Sequence, residues 1–381
     1  LKVPHGWRRE NIGKLFEVQL GKMLSKKAKT GKQFPYLANF NIRWGRIDFV
    51  KMNKMNFSAK ERKKYSLQLG DLLVCEGGEV GRCAIWQDEE KEIYYQKALH
   101  RVRSISRHAS TEYLYFYLQF IASQGKLISL VGETSIAHLT REKLVVLPLI
   151  FPPLPEQKAI ADLLSTWDEA IGKTEKLIEA KEKRFKWLLN ELIGGYCNRR
   201  GKREVKLYDL LGNALRVEKG KSLVEKNIEA GEIPVVAGGQ SYAYFHKKST
   251  HRGECITISA SGAYAGYVWY HNYPIWASDC NVIVVLNGDT KYIFYALKHL
   301  QRRIFALQSG GAQPHIYAKD LYTLRIPYPS LQEQRRIAVT LSAAHEEIDI
   351  LKKLADKYKV QKRGLMQRLL TGEWRVKLEG A

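Results

Sequence analysis

From Ile160 onward, apolar residues recur at alternating steps of four and three: Ile160, Leu164, Trp167, Ile171, then Ile178, Phe185, Leu188 and Leu192, with Thr174 and Lys181 as the interruptions. A second stretch follows the same rhythm through Ile337, Leu341, Ala344, Ile348, Leu351, Ala355, Tyr358, Leu365 and Leu369, broken only at Lys362. Such heptad spacing predicts two amphipathic helices of about ten turns, roughly 55–60 Å each, with one apolar seam apiece. Prolines at 152, 153 and 155 and at 327 and 329 precede them, and Gly194-Gly195 and Gly372 follow, as start and stop signals should. Elsewhere the pattern is that of short strands, as in Asp71–Cys75, Ile233–Ala237, Cys255–Ser259 and Asn281–Leu286, bounded by glycine-rich turns. Aromatic helices are expected near Glu112–Ser123 and Lys291–Gln301.

The two heptad stretches are copies. Ile150-Phe-Pro-Pro-Leu-Pro-Glu-Gln157 returns as Ile326-Pro-Tyr-Pro-Ser-Leu-Gln-Glu-Gln334, and from Leu154/Leu331 to Gly195/Gly372 the offset stays at 177 without a gap. Upstream the likeness is weaker and its offset drifts, from 199 at Gly21-Lys22/Gly220-Lys221 to 183 at Gly70-Asp71/Gly253-Glu254 and 179 at Tyr113/Tyr292. The chain is thus one unit written twice, a variable strand-rich globule followed by a constant helix. An unpartnered seam would expose a long apolar stripe. The expected arrangement is α+β, two β-rich globules joined by two long helices that form an antiparallel coiled coil about a pseudo-two-fold axis. Packing of each helix on its own globule, or pairing of seams between chains, are the alternatives. The expected boundaries are residues 1–150 for the first globule, 151–196 for the central helix, 197–327 for the second globule and 328–381 for the last helix and tail.

Charge changes the picture. The 381 residues hold 62 Lys and Arg against 39 Asp and Glu, a net +23 with a pI near 9.6. Residues 156–193 carry −1 and residues 333–370 carry +4, so the excess sits on the globules. A polyanion is the expected partner, and the globules should bind it while the helices space them. No apolar run is long enough to span a bilayer, the start of the chain lacks a signal-peptide core and mean hydropathy is −0.33, so a soluble cytoplasmic protein is expected. Five cysteines, without a C-x-x-C pair, fit reduced buried thiols rather than a disulfide or zinc framework.

Lys26, Lys27, Lys29 and Lys32 occupy an acid-free stretch suited to phosphate contacts, while Arg43 and Arg46 of Arg-Trp-Gly-Arg can bond a guanine edge bidentately. In the second globule Tyr242, Tyr244, Lys247 and Lys248 form a comparable aromatic-basic stretch, and Ser259, Ser261, Tyr264 and Gln313 lie in glycine-rich polar loops. Glu76-Gly-Gly78 and Gly132–Ser135 are the first globule's matching loops. Solvated lysines and loop-stabilising amides are the plainer reading of any one of these. Because Glu156, Gln157, Glu333 and Gln334 recur in both copies, they are candidates for assembly with a repeated partner, or else for capping the helix starts. No Walker A, H-E-x-x-H, G-x-S-x-G or Asn-Pro-Pro-aromatic motif occurs, and the His and Cys lack ligand spacing, so neither a catalytic site nor a metal is expected.

The doubled Pro-x-Leu-x-Glu-Gln-x-x-Ile opening of each long helix, after variable β-rich globules, resembles the specificity subunit of type I restriction-modification enzymes. The resemblance covers nearly the whole chain. It implies two target-recognition domains, each reading one half of a bipartite asymmetric double-stranded DNA site, with the helices setting the gap. It further implies a subunit that is not catalytic by itself within a restriction endonuclease and adenine-N6 methyltransferase complex. Two modification (methyltransferase) subunits would carry S-adenosylmethionine, and restriction subunits would carry ATP and Mg. A free-standing nuclease or methyltransferase, and the specificity region of a fused polypeptide, are the competing readings. The first residue is Leu, which fits a few missing N-terminal residues.

Overall fold

The computed structural model describes residues 3–88, 91–131, 138–195, 205–206, 209, 214–311 and 313–377. The chain divides into two compact units, Leu1–Lys173 with Ala355–Ala381, and Thr174–Leu354. Each unit therefore contains one globule and half of each long helix.

In the first unit, Phe16–Leu20, Leu99–Ser104, Leu72–Cys75 and Cys83–Ile85 lie side by side in that order as an antiparallel sheet. A second sheet orders Asn53–Asn56, Gln33–Leu37 and Tyr94–Tyr95, its first pair antiparallel and its second parallel. The second unit repeats both patterns: Leu215–Lys219, Cys280–Val285, Cys255–Ser259 and Val268–His271 in the first sheet, and Tyr244–His246, Ile233–Val236 and Trp276–Ala277 in the other. A two-stranded ribbon, Arg8–Asn11 with Pro148–Phe151 in one unit and Val205–Lys206 with Arg325–Ile326 in the other, leads into each long helix.

The Gly-Lys repeat has a structural reason. A Cβ on Gly21 would lie 2.4 Å from the Gln96 carbonyl oxygen, and one on Gly220 would lie 2.0 Å from that of Ser278. Only glycine lets the backbone approach so closely, and Lys22 and Lys221 donate their N–H groups to the carbonyls of Tyr95 and Ala277 there.

The long helices span Leu154–Leu189, continued by a π turn at Asn190–Gly194, and Leu331–Leu370. Every predicted seam residue is buried or half-buried. Within the first unit Trp167 meets Tyr358 edge-on and Asp168 pairs with Lys362; within the second Phe185 packs on His345, Lys181 pairs with Glu347 and Glu182 with Lys352. In the first unit the earlier Ile160 and Leu164 share a core with the later Met366 and Leu369, while Trp167 and Asp168 meet Tyr358 and Lys362. In the second, Lys181 and Glu182 meet Glu347 and Lys352, while Leu189 and Ile193 share a core with Ile337 and Leu341, so the pairing is antiparallel in each unit. The seam also closes the globules. Ile160, Leu164 and Leu369 belong to the core around the aromatic helix Thr111–Ser123, and Ile337 and Leu341 to the core around Thr290–His299, with Leu188 and Leu192 packed against it. Coil pairing and packing on a globule, alternatives in the sequence, are both realised along one seam. Among the described residues no helix is long and apolar enough to cross a membrane.

Candidate nucleic-acid interface

In the first unit, Ile42–Arg43 and Arg46–Ile47 form a tight hairpin closed by Trp44 and by Gly45 at φ 69°. Arg43 and Arg46 stand opposite each other, so both exposed guanidinium groups leave the same face of the ribbon. The Trp44 indole donates to Glu79 at 2.6 Å and Gly45 N–H to the Cys83 carbonyl, which ties the hairpin to the Glu76–Gly81 loop. Leu139 N–H in turn donates to the Glu76 carbonyl, and His100, buried below, bonds the Leu139 carbonyl at 2.9 Å. Arginines and two loops thus converge at one end of the four-stranded sheet. Residues 132–135 lie outside the described residues.

The lysine stretch sits elsewhere, beside the three-stranded sheet. Lys29 and Lys32 are exposed, the latter over the Phe34 ring at 5.3 Å, and Lys26 and Lys27 open a 3-10 turn with side chains outside the described residues. Lys22 turns inward to the Asn56 carbonyl and Glu61, each at 2.7 Å.

At the corresponding sheet end of the second unit, Ile316 N–H donates to the Ala260 carbonyl and Asn281 to the Ile316 carbonyl, repeating the joint at Leu139. Gly262 N–H donates to Pro314, and Ser261 bridges to His315 and bonds Asp279. Ser261, exposed Tyr264 and exposed Gln313 therefore come together. Ser259 does not join them: at 4% exposure, inside its strand, it offers a ligand no surface. Tyr242 stacks on Trp269 with centroids 5.0 Å apart and bonds the Tyr273 hydroxyl, while Tyr244 is held by the Leu223 carbonyl at 3.0 Å. Lys247 is exposed, and Lys248 is paired with Glu229 at 2.6 Å. Under this aromatic group His271 bonds Thr257 at 2.8 Å, and burial pushes its imidazole down to about 4. Trp44 and His315 lie within the Arg-Trp-Gly-Arg and Gly310–His315 motifs without a signal of their own, and Asp279 and Trp269 carry none, because their roles arise from segments that meet only in three dimensions.

The repeated Glu-Gln pairs are placed differently from a partner-binding surface. Gln157 is 0% exposed and Gln334 1%. The Gln157 amide nitrogen donates to the carbonyls of Pro152 and His108 at 2.8 and 2.7 Å, and its oxygen accepts from Ser110 N–H at 3.0 Å. Gln334 does the same between Pro329 and Asp289, both at 2.9 Å. Ser110 and Asp289 are the N-caps of the aromatic helices. Each glutamine therefore clamps a long helix to its globule, and a direct subunit contact is not available to it. Glu156 is buried too, in a bidentate pair with Arg375 at 2.6 and 2.7 Å. Glu333 pairs with Arg336 one turn on, at 2.9 Å. Among the described residues no three His, Cys, Asp or Glu are grouped as a metal site requires.

The family model described as type I restriction modification DNA specificity domain matches residues 4–182 and again 203–359, one copy for each half of the repeat. The chain belongs to that family. A putative type I restriction enzyme MjaX specificity subunit of Methanocaldococcus jannaschii is 25% identical, over 99% of this chain and 95% of its own. The type I restriction enzyme MjaVIII specificity subunit of the same organism is 23% identical over the same shares. The crystal structure of a type I restriction-modification system S subunit from M. genitalium superposes with a TM-score of 0.70 at 21% identity, covering 97% of this chain and 98% of that one. That likeness is one of fold. In family terms the chain is a type I specificity subunit with two specificity domains, each holding its own loop cluster.

Proposed function

We propose that the two specificity domains read the two halves of a bipartite, asymmetric double-stranded DNA site, and that the long helices set the unread gap between them. The carrying observation is that one strand order occurs twice while its loop ends bear different side chains: Arg43 and Arg46 in one unit, and Ser261, Tyr264 and Gln313 in the other. Equal frames with unlike donors and acceptors suit two unlike half-sites. The exposed lysines, with Lys29 and Lys32 foremost, supply phosphate contacts that hold any sequence. The subunit performs no chemistry itself. It recruits two modification (methyltransferase) subunits that use S-adenosylmethionine to methylate adenine N6, and restriction subunits that use ATP and Mg to cut DNA. No role in that chemistry falls to this chain's side chains beyond binding and orienting the duplex.

Replacement of residues 1–150 by a foreign specificity domain, followed by sequencing of methylated positions in host DNA, tests the reading. One half of the methylated word should change and the other stay. A change in both halves, or in neither, refutes it.

A further inference from the structure

The repeat places Asp168 of the first long helix at the position of His345 in the second, and Phe185 at the position of Lys362, each at the constant offset of 177. In the aromatic helices, Phe116 and Gln119 correspond in the same way to Tyr295 and Lys298, at an offset of 179. The structure assembles these eight residues into two corresponding corners, one inside each unit.

In the first unit, Lys362 is 6% exposed, yet it is fully engaged. Its ammonium donates to Asp168 at 2.6 Å and to Gln119 at 2.9 Å, and lies 5.2 Å from the centre of the Phe116 ring. In the second unit the same corner is aromatic. Phe185 packs on His345 with centroids 5.3 Å apart, and Tyr295 contacts both, at 6.1 and 6.2 Å. Lys298 lies over the Tyr267 ring and donates to the Val268 carbonyl. The charged groups facing His345 are Asp349, Lys298 and Lys352. The two corners solve the same packing problem by opposite means, an ion pair and a stack of rings.

We infer that these corners make helix pairing selective: each long helix is matched to the other long helix of its own chain and mismatched to the same helix of a second copy. Antiparallel pairing always sets the 168-type position of one helix against the 185-type position of the other. Unlike helices then give Asp with Lys and His with Phe, both satisfied. Two copies of the first helix would set Asp168 against Phe185 at both corners, a half-exposed carboxylate left against a ring without its cation. Two copies of the second would set His345 against Lys362, a buried ammonium left without its carboxylate. Single polar residues in a coiled-coil seam choose partners in this way, by what they forbid as much as by what they bind.

A double-mutant cycle in the full-length chain reproduces each combination inside the first unit. Lys362→Phe creates the Asp–Phe corner, Asp168→His the His–Lys corner, and the double variant the His–Phe corner already used in the second unit. Each single change should lower the melting temperature by roughly 6 °C or more, and the double variant should recover at least half of the summed loss. Where a single variant yields no folded protein, recovery of folded protein in the double variant is the same result. Losses that simply add, singles that melt like the wild type, or a double variant that stays unfolded would overturn the inference. The reciprocal cycle in the second unit, Phe185→Lys with His345→Asp, should show coupling of the same sign. Additive losses there would count equally against it.

Discussion

In the first unit the sheet ends at an arginine hairpin that Trp44 ties to Glu79. In the second the corresponding end is built from Ser261, Asp279, His315 and Tyr264. Beneath these ends the two units agree in strand order, in the Gly-Lys close approach and in the glutamine clamp. Sequence varies where side chains leave the sheet and is held where backbone meets backbone. The frame and the reading surface answer to separate constraints, and substitutions can be chosen to strike one without the other.

The largest effect should come from the close approach. Gly21→Ala and Gly220→Ala each drive a methyl group into a carbonyl oxygen that cannot withdraw without its strand, and each should cost its own unit about 3–4 kcal/mol in denaturant unfolding. If both variants unfold at the wild-type midpoint, the frame does not depend on this contact. The next effect belongs to one unit only. His271 is held neutral, at about 4 against an ordinary 6.5, so between those values the unfolded chain binds the proton and the folded one does not. Stability therefore rises with pH across that window and is level, for this group, above it; the span amounts to about 3 kcal/mol. His271→Gln should remove that slope from the second unit's melting profile between pH 4 and 6.5, and an unchanged profile would assign it to other groups.

Smaller again, Gln157→Ala and Gln334→Ala should each cost about 2–3 kcal/mol, since each strands an N-cap N–H and a buried proline carbonyl. The loss should appear in melting of the subunit alone, before any partner is added. Equal melting with impaired recovery of modification subunits would restore the assembly role that repetition of the pair suggested. The smallest change should be functional. Arg43→Ala or Arg46→Ala should lower discrimination in one half-site by about 2 kcal/mol with no change in melting, whereas neutralising Lys29 and Lys32 should weaken all sequences alike and flatten the salt dependence. Competition binding against half-site variants separates the two outcomes.

The long helices could be read from the sequence because a heptad seam needs only its own spacing, and the repeat because its offset never slips between Leu154/Leu331 and Gly195/Gly372. Lateral strand order could not be, since Phe16–Leu20 pairs with Leu99–Ser104 across some eighty intervening residues that carry no mark of the choice. The same holds for the loop clusters: Ser261 was visible as a polar loop residue, but Asp279 and His315 become its neighbours only through the fold. Gln157 and Gln334 show the opposite failure. Their recurrence was evident, yet a repeated internal clamp and a repeated docking surface look alike along the chain. Burial alone distinguishes them.

The Arg375 guanidinium pairs with Glu156 and also donates to the His5 carbonyl, tying the chain after Leu370 to its first residues. Met366, Leu369 and Leu370 complete a core that begins with Trp7 and Ile12. The first unit is thus made from both ends of the chain, whereas the second is the uninterrupted run Thr174–Leu354. On the ribosome the order of synthesis and the order of completion must then differ. The second unit can close while the first, though made earlier, still waits with an open core for the last helical turns to emerge. A premature stop shortly after Leu354 would leave the later-made unit whole and the earlier-made one without its final wall.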